Sequence, residues 1–124
     1  MGEQHRNIVI VEDDPSMDVA IVRLLRAVGL QPQSFPSAEA LLASNAAADA
    51  DCFVFDVQLP GISGFELRAR LAKEGNMRPV IFITAYDHAT VREQVREAGA
   101  AGFFPKPFPG REFVQAVLTA AGAE

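Results

Sequence analysis

Four short apolar runs recur along the chain, and each one delivers polar residues at its end. Residues 8–11 lead into Glu12 and Asp13, residues 52–55 into Asp56, residues 80–83 into Thr84, and residues 102–104 toward Lys106. Runs without polar alternation predict strands covered on both faces, as in a parallel sheet. The runs alternate with segments of helical period, the βαβ pattern of helices packed on a parallel sheet, and a further short strand is expected at Gln31–Phe35.

The helices have readable punctuation. Asp14 suits an N-cap and Pro15 the first helical position, where a missing N–H costs nothing. Met17, Ile21, Leu24, Leu25 and Val28 then make one apolar face, and Gly29 ends the helix. Ser37 caps a second helix carrying Ala38, Leu41 and Leu42, and residues 46–51 form the loop back to the sheet. Ser63 and Glu66 have capping-box spacing, so a third helix begins near Gly64, buries Phe65, Leu67 and Leu71, and ends at Gly75 and Asn76. The fourth, over residues 88–98, offers only Val91, Val95 and Ala98 to a core and is expected to be the most weakly anchored. The last starts near Gly110 and turns Phe113, Val114, Val117 and Leu118 inward.

A length of 124 residues predicts one domain over residues 1–124 with a real core. No apolar stretch is long enough to span a bilayer, and none resembles a signal peptide's, so a soluble, cytoplasmic protein away from membranes is expected. Cys52 is the single cysteine, which excludes an internal disulfide, and its apolar strand favours an inert core thiol. A net charge of −5 with no basic stripe argues against direct nucleic-acid binding.

In open α/β sheets ligands bind at the carboxyl ends of strands. Glu12, Asp13, Asp56, Thr84 and Lys106 therefore converge on one small polar site. Crowded carboxylates repel one another and raise a carboxylate pKa unless a cation intervenes. A hard divalent ion such as Mg²⁺ suits this oxygen-rich set. His5 and His88 lie far from the strand ends in sequence, which makes zinc a poor candidate.

The ordered set Glu12-Asp13, Asp56 with Pro60-Gly61 and Gly64, Thr84-Ala85, and Lys106-Pro107-Phe108 resembles response-regulator receiver domains over nearly the whole chain. The resemblance implies a flavodoxin-like fold, a doubly wound five-stranded parallel sheet of order 2-1-3-4-5 with five helices. It implies that Asp56 is the phosphoacceptor, taking a phosphoryl group from a sensor histidine kinase or histidine phosphotransfer protein. Asp13 would ligate Mg²⁺ directly, Glu12 through water, and the Gln58 backbone carbonyl would add a ligand. Lys106 would pair with the phosphoryl oxygens, Thr84 would donate its hydroxyl to one, and Phe103 would be the aromatic switch. Phosphorylation would then alter the surface around the fourth helix, fifth strand and fifth helix, for a partner or a homodimer. The motifs look most like receivers attached to helix-turn-helix transcription factors, with output through a separate domain or partner.

Taken singly, these residues have plainer readings. Asp14 is best read as an N-cap, and Cys52, His5 and His88 as structural or surface residues. A core phenylalanine and a switch aromatic look identical at Phe103. Glu12 is a methylene longer than the family's frequent aspartate, Pro105 suits a strand only at an edge or end, and Pro109-Gly110 replaces the usual polar cap of the last helix. Tyr86 and Gln58 would flank the path of an attacking water. Two other functions compete with a signalling switch, which is not itself an enzyme. A Mg²⁺-dependent aspartate-nucleophile phosphohydrolase is disfavoured by Gln58, where such enzymes carry a second acid. A non-phosphorylated interaction module is disfavoured by the intact set of polar residues.

Overall fold

The computed structural model describes residues 6–123, so His5 lies outside the described residues. The chain alternates strands and helices: β1 (Asn7–Val11), α1 (Pro15–Ala27), β2 (Gln31–Phe35), α2 (Ala38–Leu42), β3 (Cys52–Asp56), α3 (Gly64–Lys73), β4 (Val80–Thr84), α4 (Ala89–Glu97), β5 (Gly102–Pro105) and α5 (Gly110–Ala121). The five strands are parallel, in the order β2-β1-β3-β4-β5. This is the doubly wound sheet with five helices that the resemblance implied. β5 is an edge strand, and Pro105 closes it.

Alternate side chains of the central strands feed two cores. Val9, Val11, Phe53, Phe55, Val80 and Phe82 face the layer containing α2, α3 and α4. Ile8, Ile10, Cys52, Val54, Ile81 and Ile83 face α1 and α5, through Ile21, Leu25, Phe113 and Val117. β3 and β4 are buried along their entire length, which is why they read as unbroken apolar runs. Cys52 is buried, and burial pushes its thiol up to about 12, so it is an inert core group.

Several local expectations shift. Val28 is 43% exposed because α1 stops at Ala27 and Val28 is its C-cap; Leu30, beyond the Gly29 turn at φ +88°, takes the core position. Phe65 is half-buried, its ring 4.9 Å from that of Phe82, and Leu42, Val114 and Leu118 are half-buried too. Residues 46–51 are not all loop, since Ala46–Asp49 makes one turn of 3-10 helix. Only half of the anticipated capping box forms. Ser63 accepts from the Glu66 amide, while the Glu66 carboxylate pairs with Arg70. Among the described residues, no helix is long and apolar enough to cross a membrane.

Candidate functional site

Parallel pairing aligns the carboxyl ends of β1, β3, β4 and β5, and the next residues of each strand meet there. Register sets Val11 beside Phe55, Asp56 beside Ile83, and Thr84 beside Pro105. The Lys106 amide donates to the Thr84 carbonyl at 2.7 Å, so the lysine emerges directly from the edge strand, ahead of a cis Lys106–Pro107 peptide.

The centre is a bridge of three charges. Lys106 Nζ donates to Glu12 Oε1 at 2.8 Å and to Asp56 Oδ2 at 3.0 Å. Glu12 and Asp56 are 2% and 4% exposed, and the Lys106 side chain 14%. The remaining carboxylate oxygens take backbone donors: Glu12 Oε2 accepts from the Asp14 amide at 3.0 Å, and Asp56 Oδ1 from the Gln58 amide at 2.9 Å. Buried charges survive when paired and hydrogen-bonded, and here each carboxylate oxygen of Glu12 and Asp56 has a partner.

Burial pushes the Glu12 carboxyl up from its ordinary 4.5 to about 7. Hydrogen bonds from Lys106 and the Asp14 amide oppose this, and the Asp56 charge adds to it. Burial would lower Lys106, but its bonds to Glu12 and Asp56 outweigh that and hold it raised. Both shifts are upward, but they favour opposite charge states, because one ammonium serves two carboxylates: the lysine gains both charges and stays protonated, whereas Glu12 shares its partner and is pushed toward the neutral acid. The expected repulsion is therefore present, but it is second to burial, and Lys106 already relieves part of it.

Asp13 is exposed at the rim, and carboxylate oxygens of Glu12, Asp13 and Asp56 all lie within 4.8 Å of one another. Three carboxylates with no imidazole or thiolate form a donor set for a hard divalent cation, which agrees with the Mg²⁺ implied by the resemblance. Asp14 is outside this set and caps α1, its Oδ1 accepting from the Ser16 amide at 3.0 Å.

Thr84 is on the correct strand end but its hydroxyl is engaged elsewhere. It accepts from the Tyr86 amide at 3.0 Å and donates to the Tyr86 carbonyl at 3.3 Å, with no bond to Asp56. Phe103, paired with Phe82, is half-buried against the cluster that contains Val91 and Val95 of α4. Gln58 is exposed in the turn after Asp56. His88 is far from the carboxylates in role as well as sequence, stacking its ring on Tyr86 with centroids 6.3 Å apart.

The model of the response regulator receiver domain matches residues 8–118. The chain belongs to that family. As a receiver, it is a signalling domain of two-component systems. It is 37% identical over 113 residues to nodulation protein W of Bradyrhizobium diazoefficiens, covering 91% of this chain and 50% of that protein. It is 33% identical over 113 residues to transcriptional regulatory protein FixJ of Azorhizobium caulinodans, covering 91% and 54%. The chain thus spans about half the length of these relatives. A solved response regulator receiver protein from Burkholderia phymatum superposes with a TM-score of 0.82 at 40% identity, covering 96% of this chain and 97% of that one.

Sequence reasoning missed two groups that hold the site. The Asp14 amide was read only as part of a helix start, yet it binds the buried Glu12. Glu39 of α2 reaches the turn beyond Asp56, and no local signal marks a contact over 23 residues of separation.

Proposed function

We propose that this receiver is a phosphoryl-accepting switch with Asp56 as its acceptor. The observation that carries the proposal is the Glu12–Lys106–Asp56 bridge with Asp13 at its rim. One carboxylate is thereby isolated on its own strand, close to a cation and an acidic pair. An Asp56 oxygen attacks the phosphorus of a phosphohistidine on a sensor kinase or phosphotransfer protein. The P–N bond breaks, its electron pair stays on the imidazole, which takes up a proton, and an acyl phosphate forms on Asp56.

Lys106 exchanges its contact with the free carboxylate for one with the phosphoryl oxygens, as a compact point charge already at the acceptor. Asp13, Asp56 and the Gln58 carbonyl would hold Mg²⁺, with Glu12 reaching it through water, and the three carboxylates already converge. Held there, Mg²⁺ would neutralise charge that develops on the transferring group. Thr84 leaves Tyr86 to donate to the new phosphoryl oxygen, Phe103 turns inward, and α4, β5 and α5 present the changed surface to a partner or a second copy. The domain acts in the cytoplasm as a single unit over residues 1–124. Output is transcriptional through a further domain or partner, in keeping with the name of the FixJ relative.

Intact-mass measurement after incubation with acetyl phosphate tests this directly. One added phosphoryl group is expected only with Mg²⁺, and none on Asp56→Asn. An adduct formed by that variant at the wild-type rate rules out Asp56 as the acceptor.

A further inference from the structure

The turn after Asp56 is closed at its base and held at its tip by different means. At the base, the Val57 amide donates to the Ile83 carbonyl at 2.8 Å, the Gly64 amide to the Val57 carbonyl at 3.2 Å, and the Gln58 amide to Asp56 itself. Gly64 lies so close to the Asp56 carbonyl that a Cβ there would collide with it, so the returning chain is pressed against the acceptor's own backbone. A short loop fixed at its base can still pivot. Its tip is met from outside by the solvent-exposed Glu39 of α2, whose Oε2 accepts from the Ile62 amide at 3.1 Å.

Gly61 makes that approach available. It has φ +77°, which favours glycine, and a Cβ on it would run into Glu39 Oε2. Glu39 is itself set by the start of α2, where the Ser37 side chain caps the helix by accepting from the Ala40 amide at 3.1 Å. The carboxylate is thus presented by a capped helix into a gap that the turn leaves open.

We propose that Glu39 is a positioning residue for phosphoryl transfer: it pins the Gly61–Ile62 tip and so fixes the Gln58 segment against Asp56. The inference rests on Asp56 being the acceptor. A small misplacement of groups around a reacting atom costs large factors in rate, and the Gln58 amide is the donor that orients Asp56 Oδ1. The acceptor thereby depends on an α2 side chain that touches neither phosphorus nor the ligand set.

The test compares wild type, Glu39→Ala and Glu39→Gln at saturating Mg²⁺, by the rate of phosphoryl uptake from acetyl phosphate and by hydrogen exchange at the Ile62 amide. Glu39→Ala is expected to speed Ile62 exchange and to slow uptake, each by about tenfold. Glu39→Gln keeps an acceptor oxygen but not the charge, and is expected to restore both to about the wild-type values. Unchanged uptake in a folded Glu39→Ala whose Ile62 amide exchanges faster would reduce Glu39 to a structural tie and overturn the proposal. Unchanged Ile62 exchange, or failure of Glu39→Gln to rescue, would also overturn it. If wild type takes up no phosphoryl group at Asp56, the acceptor reading falls and this one with it, a result distinguished by appearing before any change at Glu39.

Discussion

α3 and α4 lie on the same side of the sheet and are built to very different standards. α3 is capped by Ser63, sinks Leu67 and Leu71 into the core, buries Arg68 so that it donates to the Arg78 carbonyl, and follows a turn tied to both Asp56 and Glu39. α4 has no side-chain cap at His88 and rests on Val91 and Val95, which are 7% and 8% exposed. Its preceding loop is fastened by the exposed Asp87–Arg92 ion pair and by the Thr84–Tyr86 bonds. Exposed ion pairs hold little. The contrast separates a tied turn at Asp56 from a lightly anchored neighbour, which is the arrangement the proposed switch needs.

Core truncation should separate the two helices most visibly. Leu67→Ala is expected to cost ~3 kcal/mol, and Val91→Ala about 1.5 kcal/mol for the two methyl groups it removes. Urea unfolding would measure both, and equal losses would refute the difference in anchoring. Helix starts give a smaller contrast of the same kind. Ser63→Ala should lose ~1 kcal/mol, while His88→Ser should gain a few tenths to about 1 kcal/mol by supplying the cap α4 lacks.

Protonation sharpens the account of the fixed side. The Glu12 carboxyl is raised in the folded protein, from 4.5 to about 7, so the fold binds a proton that the unfolded chain has already released. That stabilising contribution is complete below about 4.5 and is lost as pH rises through about 7. In metal-free buffer, melting temperatures across this window should fall less steeply for Glu12→Gln than for wild type, and parallel curves would remove Glu12 as the source.

The sequence reveals what periodicity and strand ends encode. Unbroken apolar runs at residues 52–55 and 80–83 locate β3 and β4 and hence Asp56 and Thr84 at their ends, and the sparse apolar positions of α4 foretell its shallow seat. Pairing across long chain distances leaves no such trace. Lys106 bridges Glu12 across 94 residues, Glu39 reaches Ile62 across 23, and the Thr84 hydroxyl turns to Tyr86 because the adjacent loop offers it both a donor and an acceptor. Val28 departs from the expected core position for a related reason: the apolar stripe continues in the sequence past the point where the helix stops.

We expect charge arriving at Asp56 to move α4 and β5 while α3 stays in place. Residue-resolved hydrogen exchange with Mg²⁺, with and without beryllofluoride as a phosphoryl mimic, tests it most directly, with Asp56→Asn as the control. Altered protection is expected across residues 84–104, with little change in α3 and no response in the control. Changes confined to the loops around Glu12 and Asp56, or equal in α3 and α4, would contradict it.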